Sequence, residues 1–198
     1  MGGPAEPGGP ATPGGASEPA GPGETACPSE PEGSSAAAPG RWGLRPATLE
    51  DVEEIAFAEL ELFPDEAWNV FQLAAEIEHP DRRYVVAVQR EGAGGALLGY
   101  AGIMLAGDVA DLHTIGTRRE GAGIGRALLA WCEDRARDGG AERLLLEVRE
   151  DNARARAFYT TAGYREIDRR RGYYRIRGRR IDALVMQRVL QEDDGPTA

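Results

Sequence analysis

Between Asp111 and Tyr159 the chain sets out, in order, the parts needed to hold a phosphate-bearing ligand beside one carboxylate and one phenol. DLHTIGT reads as a strand, and EGAGIG then places Gly121, Gly123 and Gly125 at the start of the helical run RALLAWCEDRA. A glycine loop opening a helix presents unpaired backbone N–H groups and the positive end of the helix dipole, which together receive phosphate. Glu147 follows inside the strand LLLEV, whereas the ribose-gripping acid of a dinucleotide fold closes its strand. Flanked by Leu146 and Val148, it shares a face with Leu145 and Arg149. Partial desolvation there raises a carboxyl pKa toward that of a general base working near neutrality. The alternative for Glu147 is a strand carboxylate paired with Arg149 or another arginine. Tyr159 stands seven residues after Asn152, two helical turns on and so on the same side of the helix. Its alternative is a core aromatic beside Phe158.

The elements that must position these groups alternate between strand and helix. Trp42 to Ala47 is a short strand, and Thr48 with Asp51 gives a capping-box-like start to a helix through Leu62. Pro64 interrupts, and a second helix is expected from Glu66 to Glu78, ending before Pro80. Arg83 to Gln89 and Ala96 to Met104 are β-rich runs joined by EGAGG, a hairpin signal, and Val109 to Thr117 continues the sheet. A helix from Ile124 to Arg137 stops at Gly139 and Gly140, before a strand from Arg143 to Arg149. Asn152 is placed to cap a helix through Thr161, ended by Gly163; strands at Tyr164 to Tyr174 and Arg180 to Leu190 close the chain.

The motifs HTIG, GIGRALL, LEVRxxNxxAxxFY and TAGYRE, with LRPAT, ELFPDEAW, HPDRRYVVAV, LLGYAGIM and the pair Tyr173 and Tyr174, resemble the GCN5-related N-acetyltransferase (GNAT) superfamily. They are most similar to its ribosomal-protein-alanine N-acetyltransferase branch, over roughly Gly43 to Leu190. The resemblance implies an α/β (α+β) fold: a mostly antiparallel mixed sheet with two splayed parallel strands, flanked by about four helices. It implies acetyl-CoA as co-substrate in the gap between those strands. Cofactor contacts then fall on Ile115, Gly116 and Thr117, on Gly121, Ala122, Gly123, Ile124, Gly125 and Arg126 at the pyrophosphate, and on Asn152. Glu147 becomes the base and Tyr159 the acid that protonates the leaving thiolate. Phe63 and Trp68 resemble one wall of the acceptor site, or simply cap the core; Tyr173 and Tyr174 resemble the other wall.

Two departures stand out. Glu120 occupies the place where the family usually has glutamine or arginine, close to the expected pyrophosphate, with Arg118 or Arg119 as compensating charges. The segment between HTIG and the loop is also shorter than usual by about two residues. An arginine-rich band from Arg165 to Arg180 is read as a solvated strand face.

Composition bounds the rest. Residues 1–40 hold nine of the thirteen prolines, ten glycines, five glutamates and no basic residue, a leader expected to be disordered. Residues 41–190 suffice for one domain, and 191–198 read as a flexible tail. Half of the net charge of −10 comes from the leader glutamates, which argues against non-specific nucleic-acid binding. No secretory signal pattern or membrane-spanning apolar run is evident, so a cytoplasmic protein is expected. Cys27 and Cys132, like His79 and His113, are too few and too scattered for a disulfide framework or a metal site. The expected partner is a protein or peptide N-terminus, in the first instance that of a small-subunit ribosomal protein beginning with alanine. A small-amine or lysine acetyltransferase and a non-catalytic CoA-binding module are the alternatives.

Overall fold

The computed structural model describes residues 42–90 and 95–190; the leader, the tail and most of the EGAGG turn lie outside the described residues. Seven strands form one sheet in the order β1-β2-β3-β4-β5-β7-β6. They are β1 (Trp42–Pro46), β2 (Arg82–Gln89), β3 (Leu97–Ala106), β4 (Val109–Thr117), β5 (Arg143–Arg149), β6 (Arg165–Ile176) and β7 (Arg179–Val189). Every pairing is antiparallel except that of β4 with β5. This is the mixed sheet expected, with helices α1 (Val52–Leu62), α2 (Val70–Glu78), α3 (Ile124–Asp138) and α4 (Ala153–Thr161) on its faces.

Side-chain alternation along the strands builds a core on each face. Val85, Ala87, Ile103, Ala110, Leu112, Leu144, Leu146 and Val148 pack beneath α3 and α4, meeting Ile124, Leu128, Cys132 and Tyr159. Tyr84, Val86, Leu97 and Tyr100 point the other way, onto Val52, Ile55, Ala58 and Leu73 of α1 and α2. Each fully buried aliphatic contributes about 1.5–3 kcal/mol to burial. Buried Glu133 pins α3 to β7: both its oxygens accept from Arg188 Nη1 at 2.7 Å, and the Tyr164 hydroxyl donates at 3.2 Å.

Helix α2 begins four residues later than expected. Glu66, Ala67 and Trp68 are not helical, because Asn69 caps the helix: its side-chain oxygen accepts from Phe71 N–H and Gln72 N–H at 3.0 Å, and Gln72 Oε1 accepts from Asn69 N–H. At the other junction the expected cap holds differently. Leu49–Asp51 form a single 3-10 turn before α1, and the Asp51 carboxylate accepts from Thr48 N–H at 2.8 Å and from both Arg45 amino groups. That pairing holds the Asp51 carboxyl below its ordinary pKa although burial pushes it upward.

Candidate active site

Strands β4 and β5 part company half-way along. Their parallel ladder runs from Val109 with Arg143 to Leu112 with Leu146 and stops there. The cause lies next to the last rung: Thr114 pairs with Gly102 and Leu112 with Ile103, so His113 is an extra residue bulged out of β4. A bulge bends and twists its strand away from its neighbour. Beyond it Ile115, Gly116 and Thr117 remain paired to β3, while Glu147, Val148 and Arg149 remain paired to β7. Each wall of the opening is therefore held from its outer side.

Residues that follow β4 close one end of that opening. Gly121 (φ 71°) and Gly123 (φ 77°) take left-handed conformations that residues with a Cβ rarely adopt. Gly123 is the N-cap of α3, and the first helical bond runs from Ala127 N–H to the Gly123 carbonyl. The amides of Ile124, Gly125 and Arg126 precede it and have no helical partner. Ile124 itself is buried in the core, so its offering is the backbone alone. Arg126 is exposed and lines an open cleft of about 590 Å³ between α3 and α4, with Leu129, Ala130, Ala157, Phe158 and Thr161.

The charges around this loop differ from expectation. Arg118 turns back onto α1, with Nε 2.7 Å from Glu61 and Nη1 3.5 Å from Glu54, and so does not compensate Glu120. Glu120 is paired instead with Arg154, one residue into α4. Asn152 is the N-cap of α4, its Oδ1 accepting from Ala155 N–H at 3.0 Å.

Glu147 and Tyr159 lie on opposite faces of the sheet. Leu144, Leu146 and Val148 are buried on the α3–α4 side, so Leu145, Glu147 and Arg149 share the α1–α2 side, as the alternation required. The Glu147 side chain is 23% exposed, and its Oε1 lies 2.6 Å from Arg170 Nη1. The alternative reading of Glu147, pairing with an arginine other than Arg149, is thus the arrangement present. Tyr159 is 7% exposed on the α3–α4 side, edge-on to Phe158 and Tyr164 at 5.2 and 5.7 Å between ring centroids. Burial, reinforced by Cys132, pushes its phenol pKa up, so the hydroxyl keeps its proton.

On the α1–α2 side the aromatics named from sequence occupy different surroundings. Phe63 and Trp68 pack on the rim of the α1–α2 core, and Trp68 stacks on the bulged His113 at 6.2 Å and 24°. Tyr173 and Tyr174 meet edge-to-face at 5.1 Å, and the Arg170 guanidinium lies over the Tyr173 ring at 5.5 Å. Tyr174 stands near both Glu66 and Glu147; burial first, then those two charges, raise its pKa.

Sequence reasoning missed two buried acids behind this face. Glu59 is 1% exposed and accepts from Thr114 Oγ1 at 2.8 Å; burial raises its carboxyl pKa and the Thr114 bond only partly offsets that. Glu76, 5% exposed, is surrounded by Arg82, the Tyr84 hydroxyl at 3.0 Å and His113 Nδ1 at 3.0 Å. Burial works to raise its pKa, but these partners outweigh it and lower it. Helical spacing carried the signal: Glu59 follows Ile55 by four and Glu76 follows Leu73 by three, on the core stripe of each helix. In the arginine band three side chains are paired, Arg169 with Glu150, Glu166 and Asp182, Arg177 with Asp65, and Arg170 with Glu147, and β6 is exposed from Arg165 to Arg171.

Among the described residues no cluster of three metal-ligating side chains occurs, and no helix is long and apolar enough to cross a membrane. Residues 49–164 match the model of the acetyltransferase (GNAT) family. The chain is 38% identical over 148 residues to the N-alpha-acetyltransferase RimI of Mycobacterium tuberculosis, spanning 71% of this chain and 88% of that protein. Over 64 residues it is 44% identical to the ribosomal protein bS18-alanine N-acetyltransferase of Escherichia coli, 32% of this chain and 43% of that one. The crystal structure of the Escherichia coli ribosomal-protein-S18-alanine N-acetyltransferase superposes with a TM-score of 0.68 at 25% identity, covering 79% of this chain and 98% of that one. A parted pair of parallel strands, a glycine loop that caps α3 and these similarities converge: the chain belongs to the acetyltransferase (GNAT) family and is an acetyl-CoA-dependent N-acetyltransferase.

Proposed function

We propose that the protein is an N-alpha-acetyltransferase that acetylates the N-terminal alanine, or a similar small residue, of a cytoplasmic small-subunit ribosomal protein. The observation that carries this reading is the end of the β4–β5 ladder at Leu112 and Leu146, with Glu147 the next residue of β5 beyond it. The similarity to the mycobacterial and Escherichia coli enzymes supports the choice of acceptor.

In this reading the glycine-loop amides and Arg126 hold the pyrophosphate of acetyl-CoA, and the inner edge of Ile115, Gly116 and Thr117 pairs with the pantetheine. The thioester then sits in the gap. An α-amino group has an unperturbed pKa of about 7.7–8.0, so most of it arrives as ammonium at neutral pH. Glu147 takes that proton, directly or through a water; the amine attacks the acetyl carbonyl; the C–S bond breaks as Tyr159 gives its proton to the sulfur; and the surplus proton on the new amide nitrogen leaves to solvent, from which the Tyr159 phenolate is reprotonated. Tyr173 and Tyr174 line the acceptor side with Trp68 opposite. Glu120 is drawn off the phosphates by Arg154.

The chain is also 36% identical over 110 residues to a streptothricin acetyltransferase of Streptomyces lavendulae, which favours a small-molecule amine as the second reading. Thiol release from acetyl-CoA decides between them. Turnover with alanine-initiated peptides, lost when their N-termini are blocked, is the expected result. Turnover only with small amines, or with lysine in the blocked peptides, overturns the proposal.

A further inference from the structure

With Arg170 Nη1 2.6 Å from Oε1 of Glu147, an acceptor ammonium that reaches this carboxylate meets a like charge already on it. Repulsion between the two cations favours displacement of the guanidinium, and one displaced into water exchanges its ion pair for hydration alone. A second carboxylate stands close to the exchange. Asp111 is opposite Leu145 in the parallel ladder, so it lies on the same face as Glu147, one strand over and two residues back. It is half-buried, and among the described residues no hydrogen bond or ion pair reaches its carboxylate. Burial pushes its pKa up, while the charges of His113 and Arg170 pull it down, so Arg170 already acts on it from its place on Glu147.

We propose that Arg170 is an exchangeable counter-ion, resting on Glu147 in the free enzyme and passing to Asp111 when the acceptor ammonium takes its place. The inference rests on the reading of Glu147 as base. Two carboxylates then serve two cations, and Glu147 meets its substrate free of the guanidinium. Arg170 is suited to the movement: it reaches in from β6, its side chain is 45% exposed, and its one other described contact is the face of Tyr173. The other charges facing this site are already committed. Arg149 is held by Asp151 and Glu66, Arg169 by Glu150 and Asp182, and His113 by Glu76. Tyr174 contributes a neutral hydroxyl. Asp111 and Arg170 are in this scheme positioning residues, acting on the acceptor through Glu147.

The test is a double-mutant cycle on the full chain with acetyl-CoA and an alanine-initiated peptide, reading acceptor KM and kcat separately. Asp111→Asn removes the receiving site, so acceptor KM should rise roughly tenfold while kcat stays within about twofold. In an Arg170→Met background, where nothing needs receiving, the same change should leave KM within about twofold. In an Arg170→Lys background, which keeps the cation, the tenfold effect should return, and Asp111→Glu should restore the native KM. Equal effects of Asp111→Asn in all backgrounds, or no effect in the native one, overturn the exchange. Arg170→Gln serves in the cycle if the Met variant does not fold. Glu147→Gln separates the two levels. Full turnover in that variant removes the base itself, whereas loss of turnover without Asp111–Arg170 coupling removes only the exchange.

Discussion

Glu120, on the glycine loop, and Arg154, at the second position of α4, form an ion pair that joins the segment after β4 to the helix after β5. Both side chains are largely exposed, so the pair contributes little to stability, at most about 1 kcal/mol. In the proposed mode of binding its effect falls on the cofactor. Glu120→Gln should tighten acetyl-CoA binding by a fewfold, and Arg154→Gln, which leaves the carboxylate bare beside the phosphates, should weaken it by a similar factor. Isothermal titration measures both; unchanged affinity in the two variants would place the pair away from the phosphates.

Proton removal from the acceptor is assigned to Glu147. Glu147→Ala should lower kcat about 10²-fold or more with acetyl-CoA affinity retained. An unaffected rate of thiol release would remove Glu147 from the mechanism.

Tyr159 lies in the core, and no hydrogen bond holds its hydroxyl among the factors acting on it. Tyr159→Phe should therefore leave the melting temperature nearly unchanged while lowering kcat by about 10- to 100-fold. A large loss of stability with proportionate activity would make the residue a packing element only.

Glu59 gives a prediction in pH. Burial raises its folded pKa above the unfolded value of about 4.5, so the folded chain binds its proton more tightly. Its contribution to stability is fully present below that unfolded value and is lost as pH rises through the folded pKa. Glu59→Gln keeps an acceptor for Thr114 and cannot ionise. The fall in melting temperature as pH rises above about 4.5 should be shallower in this variant, and an unaltered profile would show that ionisation of Glu59 is not linked to folding.

The parts that were legible in the sequence are those set by local chemistry. Gly139 and Gly140 mark the end of α3, Asn152 caps α4, and the alternation of LLLEV places Glu147 on the face opposite Leu146. Where local signals competed, the reading failed. The Asn69–Gln72 capping box was stronger than the helix-compatible run from Glu66, and it set the start of α2. Other features depend on partners far apart in the chain. The bulge at His113 is defined only against β3, the Glu147–Arg170 pair spans two strands of the sheet, and Arg154 reaches Glu120 only because β4 and β5 are parallel neighbours. None of these is written in the spacing of the residues that make it.

Glu147 and Tyr159 lie on opposite faces of the sheet, and in the proposed mechanism the two substrates therefore have separate doorways. Neither has to leave for the other to arrive, so initial-rate plots should intersect, without the parallel lines of a shuttle through an acetylated enzyme. The same geometry implies that an inhibitor joining a peptide to CoA must be threaded through the sheet, and its association should be slow even where its final hold is tight.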